Sequence, residues 1–162
     1  IFTAVEQVEE NHGPCRKIML TPTGRVLHQD LAADFSKEER LLLLCGRYEG
    51  FDERIRQGLD WTEVSLGDFV LSGGEIPALA VLESTARLLP GVLGHEESAK
   101  QDSFGESGIL DHPQSPRPAV FRGMAVPEVL LSGDHQAIEA WRANQARQRT
   151  LESRPDILPD SD

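Results

Sequence analysis

The chain has 162 residues, of which 39% are hydrophobic and 6% aromatic, and it carries a formal net charge of −11. This length predicts one domain, or one domain with a small second one. The acidic balance argues against general nucleic-acid binding, which depends on lysine and arginine, unless positive charge is concentrated locally. The two cysteines form no close pair, which favours a reducing, cytoplasmic location. No apolar run is long enough to span a membrane, and no signal peptide is visible.

Helical and strand patterns alternate over residues 1–60. Residues 1–10 place Ile1, Val5 and Val8 at helical spacing, and an Asn-His-Gly-Pro run then stops the helix. The next predicted elements are, in order, a strand at 17–20, a loop at 21–24, and a loop and helix over 25–39 with a helix start at 36–39. A buried strand at 41–45, a loop at 46–50 and a short helix at 52–57 follow. Such alternation is typical of an α/β domain with a parallel sheet.

The stretch 66–77 joins an apolar run to two adjacent glycines. Residues 69–71 favour a strand, because aromatic and β-branched side chains suit a pleated surface. Gly73 and Gly74 then predict a tight turn with positive φ, in which a ligand can approach the main chain closely. A helix is predicted over 76–89, with a proline in its first turn.

Three predicted strands therefore each end in a glycine-containing loop. These loops lie at 21–24, 46–50 and 72–74. In an open parallel sheet, ligands bind beyond the carboxyl ends of the strands. The sequence thus predicts a small-molecule site made by these loops.

The character of the sequence changes after residue 94. Residues 95–103 are polar and without hydrophobic period, which predicts a flexible linker. Residues 105–127 hold several prolines and glycines and predict irregular structure, while 127–135 ends in a turn. A helix is predicted over 136–149.

Three segments carry a resemblance to a known family. They read LLCGRYEGFDER at 43–54, SLGDFVLSGGEIPAL at 65–79 and LLPGVLGHEESAKQDSF at 88–104. Together they closely resemble the bacterial tRNA (guanine-N1)-methyltransferases of the SPOUT class. The resemblance implies an α/β fold whose parallel sheet carries a deep C-terminal trefoil knot, followed by a linker and a small helical C-terminal domain.

The implied division is a knotted cofactor-binding domain at 1–94, a linker at 95–107 and a tRNA-binding domain at 108–162. The family begins with an earlier strand and a glycine-rich loop that are not seen here, so we expect an N-terminally truncated or processed chain whose C-terminal domain is also incomplete.

The resemblance also implies a cofactor, S-adenosylmethionine, held by the main chain of the knot loops. Carried over by motif, the cofactor-binding residues are Thr21, Pro22, Gly46, Glu49, Leu66, Gly67, Asp68, Phe69, Val70, Leu71, Gly73, Gly74 and Pro77. From the residues alone, each glycine is also compatible with an ordinary turn.

Two residues match the catalytic positions of the family. Asp102, in the DSF motif, corresponds to the general base that takes the proton from N1 of guanine, and Arg87 corresponds to an arginine that serves catalysis. From the residues alone, Asp102 is a solvated loop carboxylate and Arg87 an i, i+4 partner of Glu83. No metal site is predicted, because Ala99 stands where a HExxH motif needs its second histidine.

The expected substrate is tRNA, methylated at the guanine 3′ of the anticodon. Arg142, Arg147 and Arg149 are the candidate RNA-binding residues, although a solvated helix face explains their charge equally well. The resemblance implies a homodimer in which one active site takes the cofactor loops of one subunit and the linker and C-terminal domain of the other. The apolar helix at 76–89 is the candidate interface.

Two other functions stay open at this point. One is a catalytically silent knotted domain that dimerises and holds the cofactor. The other is a SPOUT methyltransferase that acts on a different RNA.

Overall fold

The computed structural model describes residues 1–47, 50–94 and 102–158 of the protein, which divides into two compact units, Ile1–His95 and Glu96–Asp162. The first unit contains a parallel sheet with helices, and the second contains helices and a short hairpin. Glu49 and the predicted linker residues 95–101 lie outside the described residues.

The first unit is built on a three-stranded parallel sheet with the strand order β2-β1-β3. The strands are β1 at Arg16–Val26, β2 at Leu41–Leu44 and β3 at Trp61–Ser65. Ile18 of β1 lies in register between Leu43 and Thr62 and is fully buried. The parallel sheet confirms the predicted α/β class, and the trefoil knot stays a prediction.

The described part of this unit holds four helices, α1 at Phe2–His12, α2 at Gln29–Phe35, α3 at Glu53–Gly58 and α4 at Glu75–Ala86. Leu31 and Phe35 of α2 and Val81 of α4 share one core with Ile18 and Val64 of the sheet. Burial of this apolar surface is the main force that fixes α2 and α4 to the sheet. No helix among the described residues has the length and apolar character needed to cross a bilayer.

The helix predicted within 25–39 is confirmed as α2, but its predicted start at 36–39 is wrong, because the helix ends there. The Ser36 N–H donates to the carbonyl oxygen of Ala32 at 3.0 Å, and its hydroxyl donates to that of Ala33 at 2.8 Å. The Lys37 ammonium pairs with the Asp34 carboxylate at 2.9 Å. These polar residues close the C-terminus of α2, whose apolar positions precede them.

The strand predicted at 69–71 is also wrong. The observed strand β3 comes earlier and ends at Ser65, after which the chain turns through Gly67, whose φ is 147°. The Phe69 N–H donates to the carbonyl oxygen of Gly67 at 2.9 Å instead of joining the sheet. Val70 is 85% exposed, so this apolar run lies on a loop surface.

Strand β1 continues beyond its predicted end. Leu20 and Arg25 both pair with Val64 of β3, so residues 21–24 leave the ladder between them as a bulge. Bulges insert unpaired residues and re-aim their side chains. The loop predicted at 21–24 is therefore an interruption within one strand.

The second unit contains β4 at Val120–Phe121, β5 at Met124–Ala125, α5 at Glu128–Leu131, α6 at His135–Ser153 and a 3-10 helix at Pro155–Ile157. Asp134 caps α6 by accepting main-chain N–H groups of its first turn at 3.1 Å. Thr150 is fully buried, and its hydroxyl accepts the Leu110 N–H at 3.1 Å. Helix α6 is longer than predicted, and the hairpin and α5 lie in stretches for which the sequence predicted irregular structure and a turn.

Candidate functional site

A cleft of about 390 Å³ lies in the first unit, where the chain leaves β2 and β3. Three segments form its walls: the bulge of β1, the loop from β2 into α3, and the loop from β3 into α4. The lining residues are Met19, Leu20, Thr21, Pro22, Thr23, Gly46, Arg47, Gly50, Phe51, Asp52, Glu53, Arg56, Val64, Ser65, Leu66, Gly67, Phe69, Val70, Leu71, Ser72, Gly73, Gly74 and Pro77. Its place at the carboxyl ends of parallel strands is the usual one for a ligand site in an α/β sheet.

Most of the predicted cofactor-binding residues line this cleft. They are Thr21, Pro22, Gly46, Leu66, Gly67, Phe69, Val70, Leu71, Gly73, Gly74 and Pro77. Asp68 is exposed and is not among the lining residues. Glu49 lies outside the described residues. The structure thus brings the bulge and the two glycine loops together, although they are far apart in the sequence.

The two glycine loops meet through their main chains. The Gly74 N–H donates to the carbonyl oxygen of Gly46 at 2.8 Å, and Arg47 forms an antiparallel bridge with Gly73. Gly74 has φ −81°, and Gly73 is not among the residues of positive φ, so the predicted left-handed turn is wrong. Glycine is needed at position 74 for another reason: the two loops pack so closely that a Cβ there would lie 2.8 Å from the Cα of Cys45.

An ion pair adds a side-chain contact between the same loops. Arg47 Nε donates to Glu75 Oε1 at 2.7 Å, with both side chains largely exposed. The pKa of Glu75 is lowered, first by a main-chain N–H at the start of α4 and then by the Arg47 guanidinium. The acidic residue is favourable there, since the N-terminus of a helix carries partial positive charge.

Cys45 follows β2 directly and lies close to Gly74 and Glu75. Burial is the main cause that raises the pKa of its thiol, and the neighbouring Glu75 carboxylate raises it further. A thiol with a raised pKa holds its proton at neutral pH, and the thiolate is the nucleophilic form. Cys45 is therefore a neutral thiol at the end of β2, next to Gly74.

The sequence interpretation missed the wall contributed by α3 and the residues before it. Gly50, Phe51, Asp52, Glu53 and Arg56 all line the cleft. A Cβ on Gly46 would lie 2.9 Å from the Phe51 ring, so that ring packs directly on the glycine loop. Their position in the sequence could have identified them, because they follow the CGRYEG motif directly.

Arg87 lies at the end of α4, half-buried, where its main-chain N–H donates to the carbonyl oxygen of Glu83 at 3.2 Å. Helix α4 begins at the cleft with Glu75. One helix therefore connects the cleft loop to the arginine.

Asp102 lies half-buried in the second unit, within hydrogen-bonded turns. The neighbouring Ser103 hydroxyl accepts the Asp111 N–H at 2.9 Å, and the Phe104 N–H donates to the carbonyl oxygen of Ile109 at 2.8 Å. Phe104 has φ 65°, a conformation that is uncommon for a bulky residue and persists where surrounding structure fixes it. The segment that follows Asp102 is thus tied back to residues 109–111.

The three predicted RNA-binding arginines all lie on α6, in different surroundings. Arg142 pairs with Glu139 at 3.0 Å, and Arg149 donates to the carbonyl oxygen of Asp111 at 3.2 Å. Arg147 is exposed. A polar groove of about 440 Å³ beside Arg149 is lined by Pro113, Gln114, Gln145, Gln148, Arg149 and Glu152.

Across the described ranges, no group of three or more histidine, cysteine, aspartate or glutamate side chains is placed to hold a metal ion. His95 and Glu96, the first two residues of the incomplete HExxH pattern that fails at Ala99, lie outside those ranges.

A parallel sheet whose strand-end loops line a glycine-containing cleft defines an α/β domain of the kind in which ligands bind beyond the strand ends. The sequence model of the family described as tRNA (Guanine-1)-methyltransferase TrmD matches residues 1–160 of the chain. The protein therefore belongs to the tRNA (guanine-1)-methyltransferase family, which confirms the resemblance carried by the three motifs.

Individual relatives agree with this assignment. The chain is 56% identical over 159 residues to a tRNA (guanine-N(1)-)-methyltransferase of Lactiplantibacillus plantarum, covering 98% of this chain and 64% of the relative. Proteins with the same name match from Synechococcus sp., 58% identical over 145 residues (90% of this chain, 57% of the relative), and from Rhodopirellula baltica, 54% identical over 148 residues (91% and 61%). The chain thus spans about three-fifths of the length of these relatives.

Proposed function

We propose that the protein moves a methyl group from S-adenosylmethionine to N1 of the guanine 3′ of the anticodon in tRNA. The observation that carries this proposal is the cleft, because residues of two family motifs, 43–54 and 65–79, converge on it together with the β1 bulge. Relatives named tRNA (guanine-N(1)-)-methyltransferase match this chain over 98% and 90% of its length.

The cleft fits S-adenosylmethionine in size and in chemistry. Its volume of about 390 Å³ lies within the range of small-molecule sites, roughly 300–1,000 Å³. Gly46 and Gly74 leave main-chain edges without side chains, which suits recognition of a flat base by N–H and C=O groups. Leu66, Phe69 and Leu71 add apolar surface for the adenosine. When bound, S-adenosylmethionine supplies a methyl group on a positively charged sulfur.

The proposed chemistry uses one acid–base group and one cation of this chain. The N1 proton of guanine is too weakly acidic to leave freely, so Asp102 accepts it while N1 gains the methyl group. Such general-base assistance typically contributes about 10²–10⁴-fold to a rate. Arg87 stabilises the negative charge that develops on O6 of the guanine. The turns that tie the Asp102 segment to residues 109–111 support the positioning that this role requires.

The proposed tRNA-binding domain comprises residues 108–162, which lie within the second unit. The net charge of −11 requires that phosphate contacts be local, and Arg142, Arg147 and Arg149 of α6 are the proposed contacts. The target guanine must leave its stack to be reached, as bases in RNA loops do when proteins read them.

We also propose a homodimer that forms through α4. Ile76, Leu79 and Leu82 are 62%, 62% and 55% exposed, and their spacing of three residues places them along one side of the helix. A contiguous exposed apolar surface of this kind marks an interaction site.

The proposed location is the cytoplasm. Two free cysteines are compatible with that location.

Two measurements test the proposal on this chain. Calorimetry should detect S-adenosylmethionine binding with one site per chain. Methyl transfer should occur to tRNA with guanine 3′ of the anticodon and be lost when adenine replaces that guanine, since adenine carries no proton on N1. Failure to bind S-adenosylmethionine contradicts the cofactor assignment. Equal transfer to both tRNAs contradicts the target and favours a methyltransferase for another RNA position.

A further inference from the structure

Glu63 of β3 is not among the residues that line the cleft, but its carboxylate holds two residues that are. Thr23 Oγ1 donates to Glu63 Oε2 at 2.9 Å, and Arg56 Nε donates to Glu63 Oε1 at 2.5 Å. The Glu63 side chain is 21% exposed. One carboxylate thus connects the β1 bulge, which is one wall of the cleft, to α3, which is another.

The bulge depends on contacts outside the sheet ladder. Leu20 and Arg25 pair with the same residue of β3, so residues 21–24 lack regular strand pairing. Gly24 lies flat against β3, where a Cβ would be 2.4 Å from the main-chain nitrogen of Val64. The Thr21 and Thr23 hydroxyls lie 3.0 Å apart, so the bond from Thr23 to Glu63 also restrains Thr21.

The other wall is a short helix with a charged surface. Arg56 contacts Glu53 within α3 at 3.4 Å and reaches across to Glu63. The bond from Arg56 is the largest cause that lowers the pKa of Glu63, burial opposes it, and the Thr23 hydroxyl lowers it further. Glu63 is therefore ionised at neutral pH, and hydrogen bonds to an ionised group are the stronger kind.

We propose that Glu63 is a positioning residue of the cofactor cleft, which holds the Thr21–Thr23 wall and the Arg56 wall at a fixed separation without touching the ligand. The inference rests on the proposed binding of S-adenosylmethionine to this cleft. A cleft whose walls are held in place before binding loses less conformational freedom when the ligand enters. Removal of the carboxylate should weaken binding and leave the methyl-transfer step unchanged.

The test compares graded variants with a matched control. Glu63→Ala removes both contacts and should weaken S-adenosylmethionine binding about tenfold, which corresponds to about 1.4 kcal/mol. Glu63→Gln still accepts the Thr23 hydroxyl, so a smaller loss of about threefold is expected. The control is Glu9→Gln, which disrupts the partly buried Glu9–Lys17 pair of the same unit away from the cleft. It should leave the affinity unchanged.

Thr23→Val removes only the hydroxyl and keeps the branched shape, so it tests the same contact with little risk to folding. It should weaken binding about threefold alone and add little to Glu63→Ala, because both changes remove the same bond. In turnover assays, KM for the cofactor should rise in Glu63→Ala while kcat stays within about twofold.

The outcomes separate this inference from the proposed function. If the unaltered chain does not bind S-adenosylmethionine, the proposed function fails. If that chain binds and Glu63→Ala and Thr23→Val bind as tightly, Glu63 is not a positioning residue. A loss confined to kcat, or an equal loss in Glu9→Gln, also overturns the inference.

Discussion

Gly74 donates its main-chain N–H to the carbonyl oxygen of Gly46 at 2.8 Å, and this bond joins the two loops that carry most of the cleft. A Cβ on Gly74 would lie 2.8 Å from the Cα of Cys45, which is backbone and cannot move aside. Gly73 differs, since its Cβ would meet the flexible end of the Glu75 side chain. The pair Gly46–Gly74 therefore fixes how closely the loops approach.

Gly74→Ala should separate these loops. We expect the free energy of unfolding to fall by about 1–3 kcal/mol, the usual cost of added volume in a packed site, and S-adenosylmethionine binding to be lost. Denaturant unfolding and calorimetry measure the two effects. Gly94→Ala is the control, because a Cβ there meets open space. Unchanged binding by a folded Gly74→Ala protein would contradict the importance of this contact.

Much of the first unit could be predicted from the sequence, because short apolar runs form strands of its sheet. The run around Ile18 is buried, whereas the four leucines of β2, predicted as a buried strand, are only half-buried. The bulge at 21–24 was not predictable, since the pairing of Leu20 and Arg25 with one β3 residue is a tertiary event. The apolar run at 69–71 was wrongly predicted as a strand, because strand propensity does not distinguish a sheet residue from an apolar residue on a loop.

The site could be predicted only as far as the family motifs reach. Gly46 and Gly74 were identified by motif, but the reason proposed for the second glycine loop, positive φ, was wrong, because close approach depends on which loop packs opposite. Glu63 was not found at all. Its two partners are 40 and 7 residues away, and no local pattern indicates that one carboxylate serves both.

The exposed side of α4 predicts the oligomeric state. Leu79→Glu places a charge in the middle of the Ile76, Leu79 and Leu82 surface and should convert a dimer to a monomer in sedimentation experiments, because an unpaired buried charge is costly. Leu151→Glu is the control, on another helix with 61% exposure. A chain that is monomeric before any substitution would remove this proposal.

The pH dependence of stability should carry a contribution from Glu63. Its folded pKa lies below the ordinary value of 4.5, so the stabilisation is complete above pH 4.5 and is lost as the pH falls from 4.5 through the folded value. The difference in unfolding free energy between the unaltered protein and Glu63→Gln should be about 1 kcal/mol at pH 7 and should shrink below pH 4.5. Urea unfolding at pH 7, 5, 4 and 3 measures it, and a difference independent of pH would contradict it.

Arg87→Ala should lower the methyl-transfer rate without weakening cofactor binding, because its proposed partner is O6 of the guanine. Loss of one such electrostatic contact costs about 10²–10³ in kcat. Arg87→Lys should recover part of the rate, since it keeps the charge but not the planar fork. Arg25→Ala, which removes an exposed arginine paired with Asp30 at 3.6 Å, controls for the loss of charge.

Asp102→Asn tests the proposed general base. Asparagine keeps the size of the side chain but does not accept the N1 proton, so the single-turnover rate with saturating tRNA and cofactor should fall by about 10²-fold or more. Cofactor affinity should stay unchanged, because the cleft belongs to the first unit. Glu106→Gln, which changes an exposed carboxylate in the same segment, is the control.

A double variant tests whether Asp102 and Arg87 act together. In the Asp102→Asn, Arg87→Ala protein the fold loss in methyl-transfer rate should be smaller than the product of the two single losses, since both residues act on one transition state. A near-normal rate for Asp102→Asn would return this residue to the role of an ordinary turn carboxylate.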